Sequence, residues 1–376
     1  MKNIVICCDG TSNDFGDKPS NVVKLFSVLD KSPDKQLVYY DPGVGTPSTY
    51  DSFNPITKKL QYAFGNAFGY GLSANIMDAY KFLMQCYEEG DRLYFFGFSR
   101  GAYTIRALAG LIDTCGMLYP NSQNLVPEAM RLYFDRSKRS IAATFKKTFG
   151  RPCAVHFLGP WDTVSSVGWV YNPVTLQATS TNPSVRFVRH AIAIDERRAF
   201  FRQNMWGRLK PEDNAIQQDV KQVWFAGVHS DVGGSYKIEE SGLSNIALEW
   251  MLKEAQEQGM MIDAAAAKAI TEAIPQPHLQ DRHESLTPAW YIAEIWPKII
   301  RVNVGAPEQS KWVSRLYFNM GKYRFLPARH KNVLHESVWK RIQERADYRP
   351  KNIMRLCGGD AQSVPQFFDI EPWKGL

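Results

Sequence analysis

Asp91-Arg92-Leu93-Tyr94-Phe95-Phe96-Gly97-Phe98-Ser99-Arg100-Gly101-Ala102-Tyr103 decides how this chain is read. The apolar run over Arg92–Phe96 predicts a strand covered on both faces. G-x-S-x-G follows at once, and the pattern over Gly101–Asp113 is helical. A serine on a sharp strand-to-helix turn needs small neighbours, because the backbone closes tightly around it; Gly97 and Gly101 supply them. The bare pattern is weak, but with a strand before it and a helix after it, it reads as a nucleophile elbow. The backbone N–H of Arg100, at the helix N-terminus, then points at a developing oxyanion.

Outward from the elbow, short apolar runs ending in turn residues predict further strands at Asn3–Cys8, Gln36–Tyr40, Ala154–Leu158, Gln222–Val228 and Lys298–Val304. Between them, Leu72–Glu89 places Ile76, Tyr80, Leu83 and Tyr87 on one helix face, and Ser244–Glu257 reads similarly. Strand-helix alternation argues for an α/β-hydrolase-like, doubly wound, mainly parallel sheet. Residues 1–310 are expected to form the catalytic domain. Insertions at 121–151, 171–186 and 260–296 are expected to hang over the strand C-termini as a cap. Residues 311–376 read as a basic helical extension packed on the same domain.

A chain of 376 residues can bury a large core, and 26 Gly with 21 Pro excludes collagen-like and low-complexity classes. None of the six cysteines sits in a CxxC pair, which favours free thiols over a disulfide framework. The apolar run in MKNIVICCDG is too short for a signal peptide, and no stretch approaches the roughly 20 apolar residues that span a bilayer. Cytoplasmic synthesis is expected, with export by a route needing no signal peptide left open. The net charge of +7 is uneven. Arg131–Arg151 holds seven Lys/Arg and one Asp, and Arg301–Arg355 thirteen Lys/Arg and four Asp/Glu. Solvated helix faces explain such runs, as does docking on an anionic lipid surface. Nucleic acid is disfavoured, since no binding motif accompanies the charge.

A nucleophilic serine needs a base, and the base an orienting acid. Only His229 of the seven histidines stands just past an apolar strand, in a glycine-rich loop ending Asp231-Val232-Gly233-Gly234. Asp162, in Trp161-Asp162-Thr163-Val164, is the best-placed acid; Asp195, in a charged Asp-Glu-Arg-Arg run, is the competitor, and Asp231 reads as a brace for the histidine loop. Asp9-Gly10-Thr11 follows the first strand. It reads equally as a plain turn or as a second oxyanion donor from Gly10 or Thr11. A haloacid-dehalogenase phosphatase fails because Cys7 stands where its aspartate belongs, and His335 lacks the second histidine of a zinc HExxH motif.

Two other classes compete with a serine esterase. Asp9, Asp162, His229 and Asp231 have the donor types of a divalent-metal phosphodiesterase. A non-catalytic binding protein on a hydrolase scaffold is the third. The esterase calls for no cofactor or metal, and Trp290, Tyr291 and Trp296 are either core residues or the lining of an acyl site.

Asp9-Gly10-Thr11, Gly43-Val44-Gly45-Thr46, Gly97–Tyr103, Trp161–Val164 and Val228–Gly234 occur in one order. That set resembles a family of α/β hydrolases of bacteria and fungi that includes the family 1 lipase effectors of type VI secretion, which are phospholipases. The resemblance covers residues 3–240 and implies a Ser99–Asp162–His229 triad, lipid ester substrates and, for an effector, an inhibitor or immunity protein as partner. Those effectors carry large additional membrane-binding or delivery regions, of which this chain shows little.

Overall fold

The computed structural model describes residues 1–10, 16–43, 66–164, 168–169, 172–173, 176–209, 216–295, 298–303, 312–326 and 331–376. Eight strands form one sheet: β1 (Asn3–Cys8), β2 (Gln36–Asp41), β3 (Arg92–Phe98), β4 (Val155–Trp161), β5 (Val185–Ala193), β6 (Asp219–Phe225), β7 (Asn332–His335) and β8 (Phe368–Glu371). Their order is β8-β7-β6-β5-β4-β3-β1-β2, and every neighbouring pair is parallel. The expected α/β-hydrolase-like class therefore holds. Strand order reverses between β1 and β3, so their C-terminal ends flank the crevice in which open α/β sheets bind ligands.

Side-chain alternation along the strands feeds two cores. Val5, Cys7, Tyr94, Phe96 and Phe98 pack on the face covered by α1 (Asn21–Val28) and by a later helix, Gly242–Glu257. Ile4, Ile6, Cys8, Leu93 and Phe95 pack on the other, against α2 (Asn66–Cys86) and α3 (Arg100–Cys115). All six cysteines are free thiols. No helix among the described residues is long and apolar enough to cross a membrane.

Four expectations change. The 121–151 insertion forms α4 (Val126–Phe134) and α5 (Arg139–Phe149), which pack on the flank of α3 and not over the strand C-termini. Its end is tied near the strand N-termini, where Arg151 donates to the carbonyls of Met84, Tyr87 and Leu118. A cavity of about 740 Å³ beside Lys146, Lys147 and Arg151 is likewise away from the elbow. Within 260–296, His283 and Ser285 reach Asp231 and Glu196 beyond the strand C-termini, whereas Met261 bonds Gln36 at the start of β2. Lys298–Asn303 leaves the main sheet and pairs antiparallel with Trp312–Tyr317. Residues 311–376, read as a helical extension, contribute β7 and β8 to the central sheet.

Candidate active site

The elbow is strained at Ser99. Ser99 has φ 57° and ψ −115°, a conformation that costs a residue with a Cβ of order 1–3 kcal/mol. The turn is tight because a Cβ on Gly97 would lie 2.5 Å from the carbonyl of Gly101. One on Gly101 would meet the carbonyl oxygen of Cys8 and lie 2.6 Å from that of Asp9. The elbow thus presses against the end of β1. Ser99 N–H donates to the Trp161 carbonyl at 3.2 Å, and the Ser99 side chain does not cap α3, leaving the hydroxyl uncommitted.

The two residues expected as acid and base lie at the ends of β4 and β6. Asp162 is fully buried at φ 39°, its N–H donating to Ala191 O. His229 opens the short helix His229–Gly233, after Gly227, whose φ of 104° and close approach to the Asp231 side chain exclude a Cβ. His229 Nδ1 lies 2.5 Å from Asp162 Oδ2. Since the carboxylate accepts, Nδ1 carries the proton and Nε2 is left as the basic nitrogen. Nε2 is buried and has no hydrogen-bond partner among the described residues. The imidazole lies between the rings of Phe98, at 4.5 Å, and Phe201, at 4.8 Å. Phe98 immediately precedes Ser99, so this ring contact sets the base beside the elbow.

Asp162 has partners that sequence reasoning missed. Arg324 grips it with two prongs, Nη1 to Oδ1 at 2.5 Å and Nη2 to Oδ2 at 2.9 Å, and Ala193 N–H adds a third contact at 2.9 Å. Burial pushes the Asp162 carboxyl up, but the Arg324 charge and the His229 hydrogen bond outweigh it and hold the group well below the usual carboxylate range. Glu196 is the other missed residue. It accepts from His229 N–H at 3.2 Å, from Ser285 Oγ at 3.0 Å and from Arg198 through two side-chain nitrogens at 2.9 Å. Burial raises this carboxyl too, yet Arg198 overrides it and it falls to about 2. The charge-dense Asp195–Arg198 run was the signal for Glu196. Nothing in the sequence signals Arg324, which is 162 positions from its partner.

The remaining candidates fall elsewhere. Asp9 accepts from Gly10 N at 2.7 Å, Ser20 Oγ at 2.5 Å and Tyr40 OH at 2.9 Å, which fixes the turn after β1. Gly10 is buried there, Thr11 lies outside the described residues, and Arg100 begins α3 directly after Ser99. Asp195 accepts from Gly227 N and Tyr348 OH, both at 2.8 Å. Asp231 accepts from Val228 N at 2.9 Å and pairs with His283 Nδ1 at 2.6 Å. Asp9, Asp231 and the Asp162–His229 pair thus belong to three separate networks. Among the described residues no cluster of three or more His, Cys, Asp or Glu is arranged to hold a metal. Trp290 packs on Phe201 at 5.7 Å, one ring beyond the imidazole; Tyr291 is exposed, and Trp296 lies outside the described residues.

Relatives can now be set beside this geometry. An uncharacterised protein of Saccharomyces cerevisiae, YEL023C, is 37% identical over 221 residues, covering 54% of this chain and 32% of the yeast protein. A crystal structure of an uncharacterised Pseudomonas aeruginosa protein aligns over 73% of this chain and 48% of its own, at 21% identity and TM-score 0.41. The structure of the Tle1 effector bound to the VgrG spike of the type 6 secretion system aligns over 77% of this chain and 82% of its own, at 16% identity and TM-score 0.39. The chain thus spans about a third of the yeast protein and about half of the Pseudomonas chain. Residues 2–254 match the catalytic domain of the Tle1-like phospholipase effectors of type VI secretion, and with two thirds of its length inside that match the chain belongs to this family.

Proposed function

We propose that the chain is a serine hydrolase that cleaves carboxylic esters of lipids, with Ser99 as nucleophile, His229 as base and Asp162 as orienting acid. The observation that carries the reading is the strained serine at the β3–α3 elbow, beside an imidazole whose far nitrogen is held by a buried carboxylate. His229 Nε2 takes the hydroxyl proton as Ser99 Oγ adds to the ester carbonyl, and Asp162 stabilises the imidazolium. The Arg100 N–H receives the oxyanion; the Gly10 N–H is taken by Asp9 Oδ1, which leaves Thr11, by its place in the sequence, as the candidate second donor. Collapse breaks the ester bond, and the leaving alcohol takes the proton from His229. Water, deprotonated by the same nitrogen, then releases the acid and regenerates Ser99.

Lipid as the substrate class is supported by the family's phospholipase description and by the Phe201–Trp290 pair beside the base. An anionic membrane surface is the partner that the basic surplus favours, and an inhibitor or immunity protein the one that effector status implies. Fewer arginines serve the surface than the charge count suggests, since Arg324 and Arg341 are 5% and 1% exposed. The test is product analysis of wild type beside Ser99→Ala on neutral and anionic phospholipid vesicles, with fluorophosphonate labelling of both. Wild type releases fatty acid and labels on Ser99. The variant labels nowhere and loses at least about 10⁴-fold in rate. Full turnover by Ser99→Ala would overturn the assignment.

A further inference from the structure

We propose that Arg324 is a positioning residue of this site: its two-pronged grip aims the Asp162 carboxylate at His229 and takes a share of its charge, setting the pH at which the imidazole becomes available as a base. The proposal rests on the triad reading above. It concerns a residue outside the 2–254 segment that matches the family's catalytic domain.

The geometry is that of a built support. The guanidinium is 5% exposed and donates to both Asp162 oxygens, to Ala193 O at 2.9 Å and to Phe201 O. Those two carbonyls belong to the end of β5 and to the segment whose Phe201 ring packs on the imidazole. One side chain therefore fixes the acid, the strand beside it and the wall of the base. It is itself held, because Asn352 Nδ2 donates to the Arg324 carbonyl at 3.3 Å and to Ile194 O at 3.0 Å. An arginine is suited to this in a way a lysine is not, since its planar fork meets both carboxylate oxygens at once.

The electrostatic consequence has a sign. An imidazolium beside an unshared buried carboxylate is strongly stabilised, which holds the base protonated to higher pH. A cation on the other side of that carboxylate opposes this and moves the acid limb of the pH–rate profile down. Other charged groups nearby are Glu196, which accepts from the His229 N–H but is neutralised by Arg198, the Asp231–His283 pair of the His229 loop, and Asp195 just past β5, which accepts from Tyr348 OH. His190, whose Nε2 accepts from Thr163 N–H next to Asp162, is kept uncharged by burial. Arg324 is thus the full charge in direct contact with the acid. At an effective dielectric near 20, losing a charge at this range is worth about one to two pH units.

The test measures kcat/KM against pH for wild type, Arg324→Lys and Arg324→Met on a soluble p-nitrophenyl ester, with fluorophosphonate labelling rates over the same range. Arg324→Met is expected to move the acid limb up by about one unit or more and to lower the plateau at least tenfold. Arg324→Lys is expected to keep the limb within about half a unit of wild type while losing plateau rate, because it retains the charge and lacks the fork. An unmoved limb in Arg324→Met overturns the proposal. If that variant does not fold, a wild-type plateau in Arg324→Lys overturns it and a tenfold loss with an unmoved limb supports it. Labelling of wild type on Ser99, absent in Ser99→Ala, separates this failure from that of the triad: with labelling intact, a negative Arg324 result removes only the positioning role.

Discussion

Replacing Ser99 by glycine should make the protein more stable while removing the proposed nucleophile. At φ 57° and ψ −115° the serine Cβ is held where L-residues are rarely found, at a cost of about 1–3 kcal/mol. Glycine removes that cost but frees the unfolded chain, which returns about 0.5–1 kcal/mol. The expected net gain is therefore about 1 kcal/mol. Ser99→Ala is the control, since it keeps the Cβ and the strain while removing the same hydroxyl, which caps nothing in the helix. Urea unfolding of the three proteins at constant pH, read as midpoints with unchanged slopes, measures the difference. Ser99→Gly should exceed Ser99→Ala, with both inert towards fluorophosphonate. A glycine variant no more stable than the alanine variant would refute strain at the elbow, whatever the catalytic result.

Gly101→Ala should lose folded protein or about 3 kcal/mol or more, because the new methyl meets the backbone carbonyls of Cys8 and Asp9, which cannot swing away. Gly358→Ala, at φ 62° in open space, is the comparison and should cost only about 1 kcal/mol in the same urea assay. His335 gives a pH prediction: burial lowers its imidazole to about 3, against roughly 6.5 in the unfolded chain. The unfolded state then takes up the proton first, so this contribution is complete above about pH 6.5 and is lost as pH falls toward 3. His335→Phe, which keeps a ring on Phe225, should therefore lower the slope of stability against pH between 6.5 and 4 by about one proton; an unchanged slope would be the contrary result.

What was legible in the sequence follows from how local each signal is. The elbow strand and its helix announce themselves because an apolar run, two glycines and a helical period lie within about twenty residues. β5 was missed because Arg186, Arg189 and His190 interrupt its apolar pattern. In the fold Arg189 is buried against Glu254 and Asp219, partners 65 and 30 positions away, so the run is mixed and shows no clean strand period in the sequence. β7 and β8 are four residues each, too short for a period to register. Lys298–Asn303 has the composition of a sheet strand, and composition does not distinguish a central strand from a two-stranded ribbon. In the candidate site, Asp162 and His229 stand out in the sequence because each follows a readable strand. Arg324 follows none, and its only mark is a contact that exists in three dimensions.

That contact also has a place in time. The chain emerges from the ribosome amino end first, at roughly 5–20 residues per second. The serine elbow and both of its partner loops are therefore outside well before Arg324, whose partner Asp162 precedes it by 162 positions. For about ten seconds or more the nascent chain holds a carboxylate that it cannot bury cheaply, so the β4 and β6 ends have reason to stay open. The two-pronged support of Asp162 is thereby completed only when the carboxyl-terminal third arrives, so the order of synthesis puts the serine elbow before the arginine that holds its neighbouring carboxylate.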